Sequence, residues 1–252
     1  MTRQRILILG GTQDARRLAA LLSQNDRDVI LSLAGRTADP VVQLVPVRTG
    51  GFGGPKGLAA YLRLEKIGLL IDATHPFAEQ ISINAQAAAR LAGVRTFALR
   101  RLSWETVPGD FWTVVDGIPA AVAALGGRAR RVFLAIGRQQ AFQFAAAPQH
   151  SFFIRSIEPI TPPLDLPDVH YLLAAGPFDE DEEIKLLLQH RIDVVVTKNS
   201  GGSATYGKIA AARRLGIEVV MIGRSAMPEV TVVTTVEQAE QIAGTLLDMQ
   251  ET

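Results

Sequence analysis

The sequence predicts an α/β protein of two domains, each a mainly parallel sheet covered by helices, with a ligand cleft between them. Three observations predict it. Short β-rich apolar runs alternate with amphipathic helical stretches, as parallel strands buried on both faces and their crossover helices require. A polar or glycine-rich loop follows nearly every apolar run. The pattern restarts in its second half, so the join falls within "DGIPAAVAALGGRARR" (Asp116 to Arg131), giving domains 1–120 and 121–252. One long sheet is the rival arrangement, and a length of 252 residues accommodates either.

"RILIL" (Arg5 to Leu9) is the first strand, leaving through Gly10-Gly11-Thr12. The helix that follows sets Ala15, Leu18, Ala19 and Leu22 on one stripe, at i, i+3, i+4 and i+7. "DVILSLAGR" is a second strand with its loop, "QLVPV" a short third, and "GLLIDATHPF" a fourth with its loop. The next helix aligns Ile81, Ala85, Ala88 and Ala92, and "RTFALR" is the fifth strand. After the restart, "RRVFLAIGR", "SFFIRSI" and "HYLLAAGPF" supply strands and loops. "DEDEEIKLLLQH" is a helix whose first turn is acidic, which suits the positive end of the helix dipole. "DVVVTKNSGG" is a strand and loop, "KIAAARRLG" a helix, "EVVMIGR" a strand, and Val236 to Met249 the last helix.

Composition removes several function classes. Net charge is +1, so no global field argues for nucleic acid or a membrane surface, and any functional positive charge is local. The chain has no cysteine, which excludes disulfides, thiol nucleophiles and cysteine-ligated metals and suits a reducing cytoplasm. The apolar core of "MTRQRILILGG" is too short for a secretory signal, and no stretch has the length of a membrane span. His150, His170 and His190 do not fall at metal-ligand spacing, so no metal is expected. Walker and nucleophile-elbow motifs are absent. A monomer or small homo-oligomer is expected.

Ligands of open parallel sheets bind outside the carboxyl ends of the strands. The loops there carry Gly10-Gly11-Thr12, Gly35-Arg36-Thr37, "TGGFGG", "DATHP", Gly137-Arg138, Gly176-Pro177-Phe178, "TKNSGG" and Gly223-Arg224. Each alone is ordinary turn chemistry. Glycines, hydroxyls and cations at nearly every strand end point together to an anionic ligand. The first loop sits between strand and helix, where free N–H groups favour phosphate. It matches the dinucleotide fingerprint poorly, with Thr12 and Ala15 where glycine is usual. Arg36 after the second strand favours NADP over NAD, because an arginine there accommodates a 2′-phosphate; a solvated surface arginine is the bland alternative. His75 is a candidate catalytic group or a structural histidine. Asp72 is expected to bond backbone amides of its own loop. Arg155 can face the cleft or cap an edge strand, and Trp104 and Trp112 read as packing.

"ILILGGTQDARRLA", "TGGFGG", "DATHPFA", "GPFDEDEEIKLL" and "VVVTKNSGGSATYGKIAAARRLGIEVVMIGR" together resemble the precorrin-6A/cobalt-precorrin-6A reductase family of cobalamin biosynthesis, from residue 6 to about 224. The resemblance implies two Rossmann-like domains with NADPH and substrate in the cleft. It implies reduction of precorrin-6A to precorrin-6B at the C18–C19 double bond. Gly10, Gly11, Thr12, Gly35, Arg36, Thr37, Thr74, Asn199, Ser200, Gly201 and Gly202 are then expected at the coenzyme. Arg138, Arg155, Lys198 and Arg224 are expected at the carboxylates of a tetrapyrrole-derived substrate. His75, Lys198 or water supplies the proton that accompanies the hydride. A cobalt-containing substrate with NADH, a non-catalytic nucleotide-binding module, and a nucleotide-sugar or methyl-transfer enzyme are the alternatives.

Overall fold

The computed structural model describes residues 4–35, 43–225, 227 and 229–248. Strand β1 (Arg5–Leu9) sends Ile6 and Ile8 to one face of its sheet and Leu7 and Leu9 to the other. Side chains alternate along a strand, so a run apolar at every position needs cover on both faces. Helix α1 (Gln13–Gln24) supplies one cover through Ala15, Leu18, Ala19 and Leu22, the stripe its period predicts. Strands β2 (Asp28–Leu33) and β3 (Val47–Thr49) follow, the third nearly past the "QLVPV" expected to form it. Helix α2 (Pro55–Leu64) covers the opposite face through Leu58, Ala59 and Leu62.

Strand β4 (Ile67–Asp72), helix α3 (Glu79–Ala92) and strand β5 (Arg95–Leu99) continue the alternation. The buried residues of α3 are Ser82, Ala85, Ala88 and Ala89, with Ile81 and Ala92 only partly covered. All four residues of the expected Ile81–Ala92 stripe thus pack on the core beneath α2, and Ser82 is buried beside them because its Oγ–H donates to Asp72 Oδ2 at 2.6 Å.

A second alternation comprises β6 (Trp112–Val115), α4 (Gly117–Ala124), β7 (Arg131–Ala135), the short α5 (Arg138–Ala141) and β8 (Ser151–Ser156). It continues with β9 (Val169–Leu173), α6 (Glu180–Gln189), β10 (Val194–Lys198), α7 (Gly207–Leu215) and β11 (Glu218–Ile222). The chain then adds β12 (Val232–Val233) and α8 (Val236–Asp248).

Two sheets of parallel strands result, ordered β12-β5-β4-β1-β2-β3 and β6-β11-β10-β7-β8-β9. Two compact units contain them, Met1–Leu102 with Ala226–Thr252, and Ser103–Ser225. This departs from a division at 120/121. Trp112–Val115 pairs with β11 in the second sheet, and the segment expected to join the domains contains α4. At the other end, Val233, Val236, Ala239, Ala243 and Leu247 return to the first unit's core. The first sheet is therefore finished by residues that follow the whole second unit. Among the described residues no helix is long and apolar enough to cross a membrane.

Candidate functional site

The first sheet reverses direction between β1 and β4: β2 and β3 extend one way, β5 and β12 the other. Such a switch point opens a crevice at the carboxyl ends of the two central strands. Gly10-Gly11-Thr12 leaves β1 there. A Cβ on Gly10 would lie 2.6 Å from Leu31 Cδ1, so any larger residue would have to displace the buried Leu31 side chain for the turn to close on β2. Gly11 holds φ +113° with nothing within 4 Å of an added Cβ, so the space over the turn is open. Thr12 caps α1: its Oγ1 accepts from Ala15 N–H at 3.1 Å and donates to Ala73 O at 2.9 Å. With its hydroxyl engaged both ways, Thr12 offers a ligand its backbone rather than its side chain. Asp14, in the first turn, is paired with Arg101 at 3.1 Å.

β4 ends at Asp72, which is buried and accepts from four donors. These are Thr74 N–H (3.2 Å), Thr74 Oγ1–H (2.6 Å), Ser82 Oγ–H (2.6 Å) and Arg100 Nη2 (3.0 Å). The carboxyl group thus organises the loop that carries Thr74 and His75 and accepts the hydrogen bond of the Thr74 hydroxyl. Phe77 N–H donates to His75 Nδ1 at 3.2 Å, which places the proton of a neutral ring on Nε2. Gly35, at φ +72°, stands where a Cβ would meet Thr49 Cγ2 at 2.8 Å, so the ends of β2 and β3 abut. Arg36 and Thr37 lie outside the described residues. Arg48 reaches the carbonyls of Gly50 and Gly51 and lies 3.7 Å from the centre of the Phe52 ring, bracing "TGGFGG".

In the second sheet the reversal falls between β7 and β10. The loops that leave these strands carry Gly137-Arg138 and Lys198 to Gly202. Arg138 pairs with Glu158 at 2.8 Å. Gly201 and Gly202 both adopt positive φ, +68° and +75°. Trp104 holds this turn: its N–H donates to Asn199 Oδ1 (2.7 Å), its carbonyl accepts from Asn199 Nδ2 (2.9 Å), and its Nε1–H donates to Gly202 O (2.8 Å). Arg224 Nε donates to Asn199 O at 2.8 Å. The Asn199 amide, expected at the coenzyme, is instead taken up by Trp104. Arg224 braces the same turn.

Arg155, expected at the substrate, lies inside the unit. Its guanidinium makes a two-pronged pair with Glu183, whose Oε2 is 3.1 Å from Nη2, and lies 3.5 Å from the Phe178 ring centre. Both side chains are buried, so this cation is matched within the fold rather than presented on the rim. Lys208, also buried, donates from Nζ to Thr205 O, 5.0 Å from the Trp104 ring centre. Its pKa is pushed down to about 7, chiefly by burial and then by Arg155, with Glu183 opposing.

The two switch points thus gather Gly10, Gly11, Thr12, Thr74 and His75 in one unit, and Arg138, Lys198, Ser200, Gly201 and Gly202 in the other. Sequence reasoning missed Arg100, although it follows a strand end as the other rim cations do. It read Trp104 as packing alone; nothing in "LSWE" signals bonds to residues 95 and 98 positions away.

A family model described as "Precorrin-6x reductase CbiJ/CobK" matches residues 5–244. The precorrin-6A reductase of a Sinorhizobium species is 59% identical over 240 residues, covering 95% of this chain and 92% of its own. That of Rhodobacter capsulatus is 46% identical over 233 residues, covering 92% and 93%. The cobalt-precorrin-6A reductase of Priestia megaterium is 28% identical, covering 92% and 95%. A solved structure of CobK precorrin-6A reductase superposes with a TM-score of 0.92 at 44% identity, covering 96% of this chain and 97% of that one.

Proposed function

The chain belongs to the precorrin-6x reductase (CbiJ/CobK) family, and from that premise we propose how it carries out the reaction. It is a precorrin-6A reductase of cobalamin biosynthesis. We infer that the reductant is NADPH and that the C18–C19 double bond is the one reduced, giving precorrin-6B. The observation that carries the coenzyme assignment is the strand order of the first sheet. Renumbered within that sheet it is the doubly wound order 3-2-1-4-5-6, whose switch point is a dinucleotide site. The residues there fit the coenzyme. Gly11 leaves open space, and the first-turn N–H groups of α1 suit a pyrophosphate. NADPH is preferred over NADH because Arg36 follows the second strand in sequence. The identities of 59% and 46% to precorrin-6A reductases, against 28% to a cobalt-precorrin-6A reductase, favour the metal-free macrocycle.

When bound, NADPH supplies the hydride. Reducing a carbon–carbon double bond also needs a proton on the other carbon. His75 Nε2–H and the Lys198 ammonium are the groups we assign to it, with water as the third source. The second unit receives the macrocycle's carboxylates through Lys198 and Arg138; the N–H groups of Gly201 and Gly202, expected at the coenzyme, are assigned here to the same carboxylates, because the strand order favours the dinucleotide on the first sheet. Ser200 lies on the same loop, and Arg224 and Asn199 shape it.

Binding and turnover test this. NADPH should bind saturably with NADH much weaker, and Arg36→Ala should erase the difference by weakening NADPH alone. Equal affinity for both coenzymes in wild type and variant removes the assignment of Arg36. For the proton, kcat within about threefold in both His75→Asn and Lys198→Ala, under 1 kcal/mol of barrier, assigns the transfer to water.

A further inference from the structure

Two consecutive glycines with positive φ do not hold a loop in place by themselves; glycine has the most backbone freedom to lose on ordering. The turn from Asn199 to Gly202 must be fixed from outside. Trp104 does this at both ends. Its main chain meets the Asn199 amide in two directions, at 2.7 and 2.9 Å, closing a ring of two hydrogen bonds as paired strands do. Its indole N–H meets Gly202 O at 2.8 Å. The ring itself is held, with the Tyr206 ring centre at 5.7 Å and Lys208 Nζ at 5.0 Å. Lys208 also donates to Thr205 O, so the chain is fixed again just beyond the turn.

We propose that Trp104 is the positioning residue of the Lys198–Gly202 loop, setting where Lys198, Ser200 and the N–H groups of Gly201 and Gly202 stand. Trp104 touches no reacting atom. It acts through the loop, with Lys208 supporting the indole. The proposal rests on the reading above that this loop receives the macrocycle's carboxylates.

Trp104→Phe tests it, because phenylalanine keeps an aromatic ring and the main-chain bonds to Asn199 while losing the indole N–H and the smaller ring that carries it. Asn199→Asp is the second variant, removing the donor to the Trp104 carbonyl. Three quantities are measured: amide hydrogen exchange across residues 197–205, steady-state kinetics with precorrin-6A, and NADPH affinity. Exchange in that segment should quicken about tenfold in both variants, while the rest of the chain exchanges as in wild type. KM for precorrin-6A should rise about tenfold, with kcat within about threefold and NADPH affinity unchanged. Unaltered exchange in both variants overturns the positioning role. Faster exchange throughout residues 103–225 overturns it too, by making Trp104 a general stability residue. Faster exchange confined to 197–205 with KM unchanged overturns instead the placement of substrate on this loop, and with it the functional part of the proposal.

Discussion

Arg155 and Glu183 show how little a residue's type says about its place. An arginine at a strand end reads as a rim cation, yet its side chain is 6% exposed and faces a carboxylate 3% exposed. Removing one member of such a pair leaves a buried charge unmatched, at a typical cost of about 3–5 kcal/mol. Arg155→Met should fall toward the lower end, because Lys208 stands close enough to share Glu183. Replacing both, as Arg155→Met with Glu183→Leu, should recover most of the loss. Urea denaturation checks this; a variant of unchanged midpoint and raised KM would return Arg155 to the substrate. Thr12 is a second case. Thr12→Ala removes the cap of α1 and the tie to Ala73, and should cost about 1–2 kcal/mol. Thr12→Ser should restore most of it, in the same denaturation measurement.

At the scale of the element, α7 carries its unusual residue in its first turn. Lys208 has a folded pKa of about 7, below the 10.5 of an unfolded lysine. Between those values the unfolded chain binds more protons, so stability rises with pH across that window. Below about pH 7 both states are protonated and the full destabilisation remains. Lys208→Met should therefore raise Tm most at pH 6, with the gain shrinking as pH climbs above 8. A gain independent of pH would show that Lys208 is not titrating in the fold.

Legibility followed the same physics. α1 was readable because polar residues separate its apolar ones, so its period shows. α4 was read as a join because "GIPAAVAA" lacks a charged or strongly polar face, although Ile118 and Ala121 alone are buried. β6 and β12 are short, and their partners are remote in sequence, so no local signal separates them from loop. The facing of α3 was readable from Ile81, Ala85, Ala88 and Ala92; what apolar period does not show is the buried Ser82, held by its bond to Asp72. The places of the glycine and hydroxyl loops at the strand ends were readable since each follows its strand directly. Trp104 and Arg100 were not, because their roles depend on pairing across the chain.

At the scale of the whole molecule, the first sheet needs residues that come last. A chain ending at Ser225 lacks β12 and α8, and so lacks Val233, Val236, Ala239, Ala243 and Leu247 from the core around Ile6 and Ile8. It should lose the cooperative unfolding of the first unit, while a fragment of residues 103–225 should fold, since all six strands of the second sheet lie within it. Circular dichroism melts of the two truncations decide this. The central claim concerns chemistry, and a single-turnover reaction tests it most directly. With enzyme in excess over precorrin-6A in the absence of oxygen, and NADPH present, one NADP⁺ should form for each macrocycle converted to a product heavier by two hydrogens. NADH should react much more slowly. Macrocycle reduction without matching NADP⁺, or NADPH binding with no conversion, would contradict the account.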